Sequence, residues 1–155
     1  MEPDDVTRVT ALLGRAPRAA FTVAVRDAAG TPMVIRNAPF LDDGTPLPTT
    51  YWLVDPALTR SIARIEAEGG VRAAQDAVDA DALAAAHARY GAERDAAIDP
   101  GHEGPRPFGG VGGTRVGVKC LHAHVAWYLA GGPDPVGAWT VARLEARPDR
   151  AGDAP

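Results

Sequence analysis

Two glycine pairs around one valine, Gly109-Gly110-Val111-Gly112-Gly113, constrain this chain more than any other feature of its sequence. Glycine inside a helix or strand costs about 0.5–1 kcal/mol relative to alanine, so such a run is disfavoured in both. It reads as a bending loop. The residues behind it, Val118 to Ala130, are predicted to be helical: Leu121, Val125 and Leu129 are spaced four apart, and Gly131-Gly132-Pro133 is a stop. The stretch from Phe108 to His124 also carries the only lysine, Lys119, the only cysteine, Cys120, and two of the four histidines, His122 and His124.

The remaining segments are patterned more plainly. Asp4–Leu13 has apolar residues at helical spacing and ends at Gly14. Phe21, Val23 and Val25 alternate with polar or small residues, Asp27–Gly30 is a turn, and Met33–Arg36 returns, which predicts a hairpin. Asn37–Pro48, with three prolines and an Asp-Gly pair, is a structured loop before a third strand at Thr50–Val54. Asp55-Pro56 and Asp134-Pro135 each pair an N-cap with proline at the first helical position. They open helices carrying Leu58, Ile62 and Ile65, closed by Gly69-Gly70, and Trp139, Val141 and Leu144, closed near Ala146. Val71–Val78 and the Ala-rich Asp81–Ile98 supply two more. The order predicts an α+β fold. A small antiparallel sheet of about three strands in the N-terminal half packs with four to six helices, and the C-terminal half is helix-rich. Residues 1–146 are expected to form one globular domain, and 147–155 a flexible polar tail.

Composition narrows the function classes. A net charge of −4, with basic residues scattered, argues against nucleic-acid binding. No apolar run approaches the roughly 20 residues needed to span a bilayer, so no membrane partner is expected. A lone cysteine fits a reducing compartment, and the acidic start Met-Glu-Pro-Asp-Asp is no signal peptide; the expectation is cytoplasmic. One lysine stands against 15 arginines, which reads either as drift in a GC-rich genome or as a place where arginine will not serve.

Three chemistries compete for the glycine segment. The leading expectation is a small anionic, phosphorylated ligand. A glycine loop feeding a helix N-terminus offers main-chain N–H groups and the positive end of the helix dipole. Gly110, Gly112, Gly113, Thr114 and Arg115 would bind it together with Lys119. Asn37 and Thr50 would form a second wall, with Tyr51 and Trp52 able to stack on a planar group. Transfer or hydrolysis is conceivable there, with Lys119, Cys120 and His122 as the catalytic candidates; Cys120 would need a lowered thiol pKa. The third chemistry is zinc or iron held by Cys120 and His124. On a helix those two share a face while His122 lies about 200° from Cys120, which leaves only two ligands and disfavours a metal. The rival from another class is a non-catalytic regulatory or protein-interaction domain, with the glycines serving close packing, the cysteine a small core residue and the histidines bonded to core carbonyls. Arg89 and Arg94 on the Ala-rich helix are assigned to solvent or ion pairs.

Two groups of segments carry a family resemblance. The first is Asn37-Ala-Pro, Asp43-Gly-Thr-Pro-Leu-Pro-Thr-Thr-Tyr-Trp-Leu53 and Arg64-Ile-Glu-Ala-Glu-Gly69. The second joins the glycine run through Lys119-Cys-Leu-His-Ala-His124 to Leu129-Ala-Gly-Gly-Pro-Asp-Pro-Val-Gly137. Together they resemble an uncharacterised bacterial family, common in actinobacteria, known as domain of unknown function five hundred and one. The resemblance implies a single cytoplasmic domain from a GC-rich bacterium. It implies no catalytic residues.

Overall fold

The hairpin forms where alternation predicts it. In the computed structural model, which describes residues 2–147, β1 (Phe21–Arg26) pairs antiparallel with β2 (Pro32–Asn37), and β2 with β3 (Tyr51–Leu53), giving the order β1-β2-β3. The turn between β1 and β2 is closed by Asp27, whose Oδ1 accepts the N–H groups of Ala29 and Thr31, both at 2.9 Å. Gly30 sits there at φ 84°, in the left-handed region that favours glycine.

The two faces of the sheet are used differently. Val34, Tyr51 and Leu53 enter the main core. Ile35 and Trp52, direct cross-strand partners, belong to the opposite face, where Ile35 meets Val9 of α1 (Asp5–Leu13). A bidentate pair locks α1 to β1: Arg26 Nη1 and Nη2 donate to Asp5 Oδ1 and Oδ2 at 3.0 and 2.7 Å. The Arg26 guanidinium holds the Asp5 carboxyl below the usual carboxylate range.

Five helices follow: α2 (Pro56–Ala67), α3 (Gly70–Ala77), α4 (Ala80–Asp95), α5 (Leu121–Leu129) and α6 (Pro135–Ala146). Both Asp-Pro starts cap as expected. Asp55 Oδ1 accepts from Leu58 N at 2.9 Å, and Asp134 Oδ1 from Val136 N and Gly137 N at 2.9 and 3.1 Å. Gly70, expected to end α2, instead opens α3; a Cβ there would lie 2.4 Å from the Ile65 side chain, so the α2–α3 corner admits only glycine. The central helix is α5. Apart from His122 and His124 it is apolar, with Leu121, Val125, Ala126 and Trp127 no more than 1% exposed, and it packs against β3 and α6. The structure is thus a three-stranded antiparallel sheet in the N-terminal half with six helices, and the described C-terminal half has helices and no strand. Of the expected 147–155 tail, Arg147 pairs with Glu68 and the rest lies outside the described residues.

One boundary moves with consequences. The helix expected from Val118 begins at Leu121, and Cys120 is extended (φ −150°, ψ 150°). Tertiary bonds hold the missing turn open: Gln75 Oε1 takes the Val118 N–H at 3.0 Å, His87 bonds the Gly117 carbonyl, and Gly117 sits at φ 70°. Val118 still packs on the core, so its apolar spacing is satisfied without helix.

Candidate functional site

The glycine segment is laid along α4, where two side chains hold it and one glycine lets it approach. His87, Gly91 and Arg94 recur at i, i+4 and i+7 and share a face. His87 Nδ1 accepts the Val111 N–H at 3.1 Å, so the ring proton sits on Nε2, which donates to the Gly117 carbonyl at 2.8 Å. The ring is therefore a neutral strut with both nitrogens occupied. Burial pushes its pKa down, against the pull of the Gly117 hydrogen bond. Arg94, whose side chain is only 2% exposed, donates from Nη1 to the carbonyls of Gly109 (2.9 Å) and Pro48 (3.2 Å), and from Nε to Asp95 (3.0 Å). Between them Tyr90 places its phenol oxygen 2.7 Å from Thr50 N and 3.1 Å from Tyr51 N; burial pushes that phenol up to about 12.

Contact is close enough to exclude side chains from the loop. A Cβ on Gly110 would fall 2.5 Å from His87 Cβ, and one on Gly91 3.0 Å from the Gly109 carbonyl. Gly110→Ala is expected to lower stability by about 1–3 kcal/mol, the usual cost of overpacking. Thermal unfolding checks this, and an unchanged midpoint would show that the loop can lift from α4.

Between α4 and residues 107–115 runs a groove of about 520 Å³, lined among others by His87, Arg94, Asp95, Phe108, Gly109 and Arg115. Arg94 is compensated by Asp95, but Arg115 is exposed and makes no hydrogen bond or ion pair with any described residue. Its guanidinium stacks 3.9 Å from the centroid of the Phe108 ring, itself 56% exposed. The groove thus carries one uncompensated cation beside an apolar ring.

A model of the family described as "Protein of unknown function (DUF501)" matches residues 23–142. The chain belongs to this family. The DUF501 match runs from β1 into α6 and so covers α4, the glycine segment and the whole groove. No curated protein matches the chain, and no solved structure does.

In this DUF501 chain the residues singled out from sequence separate. Gly110 and Arg115 line the groove. Gly112 carries the stem of Lys119, whose Cβ would be 3.5 Å from a Cβ placed there, and Lys119 is exposed and does not line the groove. The Thr114 hydroxyl donates to the Val116 carbonyl at 2.9 Å, inside its own turn. Three of the loop's main-chain donors are already used: Gly110 N bonds Thr114 O, Gly113 N bonds Gly110 O, and Val111 N bonds His87. Gly109, Gly112 and Gly113 all adopt positive φ, which curls the loop onto itself, and residues 114–120 separate it from α5. The loop therefore feeds no helix N-terminus.

Cys120, His122 and His124 do not converge either. Burial pushes the Cys120 thiol up, the reverse of what a nucleophile requires. His122 ties α5 to α2, with Nε2 3.1 Å from the Thr59 carbonyl and Nδ1 against Glu66. His124 is fully buried; its Nδ1 bonds Asp134 Oδ2 at 2.6 Å, and its Nε2 has no hydrogen-bond partner. Among the described residues no three His, Cys, Asp or Glu side chains gather as a metal ion would need. Asn37 and Thr50 part as well: Thr50 is buried under α4 at 4% exposure, while Asn37 opens into a different pocket. The sequence did not assign His87, Tyr90 and Arg94 to bracing these loops, and Arg94, expected in solvent or an ion pair, is buried beneath the glycine segment. The available signal was their common face on a helix whose other positions are mostly alanine, where a large polar side chain needs a reason.

Proposed function

We propose that this protein binds a small anionic ligand in the groove between α4 and the glycine segment, with Arg115 as its anchor. The observation that carries the reading is Arg115 itself, a guanidinium with no anionic partner among the described residues, poised on Phe108 at the mouth of the groove. An arginine so placed offers paired N–H donors to a phosphate or carboxylate. The volume falls within the roughly 300–1,000 Å³ range of small-molecule sites, enough for a mononucleotide-sized ligand. The exposed Phe108 ring favours a ligand with an apolar or planar portion next to its charge. Lys119 takes no part in this reading.

Binding is favoured over bond-breaking. His87, the one imidazole in the groove, has both nitrogens committed to the loop, and Asp95 is held by Arg94. Neither is free to move a proton. The net charge of −4 supports a small ligand in place of nucleic acid. No described helix is long and apolar enough to cross a membrane, and the one free cysteine fits a cytoplasmic location.

The test is titration of labelled protein with inorganic phosphate and with adenosine monophosphate, read at the amides of Gly91, Gly109 and Gly110. Saturable shifts are expected, weakened about tenfold or more by Arg115→Ala, since a charge-assisted hydrogen bond is worth about 1.5–3 kcal/mol. Lys119→Ala should leave the titration unchanged. If neither probe moves those amides, or if Arg115→Ala binds like the parent, the reading is wrong.

A further inference from the structure

The single cleft that sequence joined from Asn37 and Arg115 is two pockets, and the second has its own chemistry. It lies on the α1 face of the sheet and encloses about 180 Å³. Leu41 and Leu47 wall it, the loop between them being braced by the Phe40–Pro46 bridge. Trp52 contributes an indole that remains 39% exposed although it stands opposite buried Ile35 across the strand pair. Two arginines, Arg15 just past the end of α1 and Arg18 before β1, reach the same pocket with Asn37.

Both arginines are exposed, and neither has an ion-pair partner within reach among the described residues. The only side-chain bond of Arg15 is a long one, 3.4 Å to the Ala16 carbonyl. Asp43, whose charge reaches Arg18, gives its carboxylate to Thr45 instead, which bonds it through the main-chain N–H at 2.9 Å. The Asn37 amide is almost as loosely held, with Nδ2 3.4 Å from the Thr49 carbonyl. An open indole face, a carboxamide and two guanidinium groups that no carboxylate hydrogen-bonds therefore meet in one small space.

We infer that this pocket binds a single-ring aromatic carboxylate, its ring stacked on Trp52 between Leu41 and Leu47 and its carboxylate held by Arg15 and Arg18, with Asn37 as a further donor. The size decides the ring count. Sites for drug-sized ligands begin near 300 Å³, and this one is well below that. Planarity follows from the indole, which prefers an offset or edge-on aromatic partner at a gain of about 0.5–1.5 kcal/mol beyond area burial. The charge follows from the fork of arginine donors, which matches a carboxylate in pairs. This site is separate from the Arg115 groove and stands without it.

Asn37 is the only asparagine and Trp52 one of three tryptophans, so the Asn37 amide and Trp52 indole N–H signals are easily assigned reporters. Titration of the full chain with benzoate should move both saturably. Cyclohexanecarboxylate, with the same charge and no flat ring, should bind about tenfold more weakly, and the double variant Arg15→Ala/Arg18→Ala should weaken benzoate by about tenfold or more. Both arginines are surface residues, so the variant keeps its fold, which the unshifted signals of the Arg115 groove will confirm. Arg115→Ala should leave benzoate affinity as it was. The inference is overturned if benzoate gives no saturable shift, if the two acids bind alike, if the double variant binds like the parent, or if Arg115→Ala weakens binding as much as it does.

Discussion

Replacing Asp134 by alanine should cost about 3–5 kcal/mol of stability, the largest effect of any single polar substitution in this chain. Its carboxylate has two jobs, both in places closed to water: it is 2% exposed, and its partner His124 is fully buried. Oδ1 caps α6 by accepting from Val136 N and Gly137 N, and Oδ2 accepts from His124 Nδ1 at 2.6 Å. Loss of the cap alone is worth about 0.5–2 kcal/mol. Alanine would also strand the His124 N–H, which has no other acceptor in reach and whose Nε2 is already without a partner, adding about 1–3 kcal/mol. Both losses fall at buried positions, so the sum lies toward the upper end of these ranges, about 3–5 kcal/mol. At about 2–4 °C per kcal/mol for a chain of this size, the midpoint should fall by roughly 6–20 °C. Asp134→Asn is the informative companion. It keeps an oxygen for the α6 amides and loses only the acceptor facing His124, so it should lose less than half as much. Equal midpoints for the two variants would show that the cap contributes little and the histidine contact nearly everything.

His87→Ala should cost about 2–4 kcal/mol and should do so in a pH-dependent way. It orphans the Val111 N–H and the Gly117 carbonyl at once and leaves a cavity beneath the glycine loop. The sign of the pH effect follows from the tautomer. Bare Nδ1 is what Val111 requires, and a proton there would replace an acceptor with a donor. Burial, opposed by the Gly117 bond and aided by the neighbouring His124 ring, holds the folded pKa below the ordinary value of 6.5. The unfolded chain therefore binds the proton more readily than the folded one. The stabilisation is fully present above about pH 6.5 and is lost as pH falls through the lowered folded value. The gap between parent and His87→Ala midpoints should thus be widest near neutrality and shrink under acid. A gap that stays constant from about pH 7 to pH 5 would refute the neutral strut.

Much of the fold was legible because the cues are local. Asp55-Pro56 and Asp134-Pro135 cap helices from the two places they mark, and Phe21, Val23 and Val25 make a strand with the face that alternation assigns. Tyr51 and Trp52 divide between core and surface as neighbours on a strand must. The start of α5 was misread because Val118 satisfies the helical spacing while Gln75 and His87, some thirty to forty residues earlier, take up the backbone around it. That is a tertiary fact with no local trace. The site divides the same way. The rare residues mark a segment that borders a groove, and Gly110 and Arg115 line it. The tertiary part was that the Gly110 and Gly113 amides bond within the loop, and that Arg94, of a type that is seldom fully buried, turns inward to hold it. Asn37 and Thr50 are thirteen residues apart and hydrogen-bonded through their main chains, yet their side chains serve different regions.

The three side chains on the inner face of α4 also bear on the order in which the molecule assembles. Val111, Gly117 and Gly109 find their partners only on His87 and Arg94, and the amides of Thr50 and Tyr51 find theirs only on Tyr90. Until that helix has docked, the long excursion between α4 and α5 has only the short bonds inside its own curl to hold it. Closing a loop of that length before any contact rewards it is unfavourable. The segment is accordingly expected to be among the last to set, and the groove it borders to form only with the completed fold.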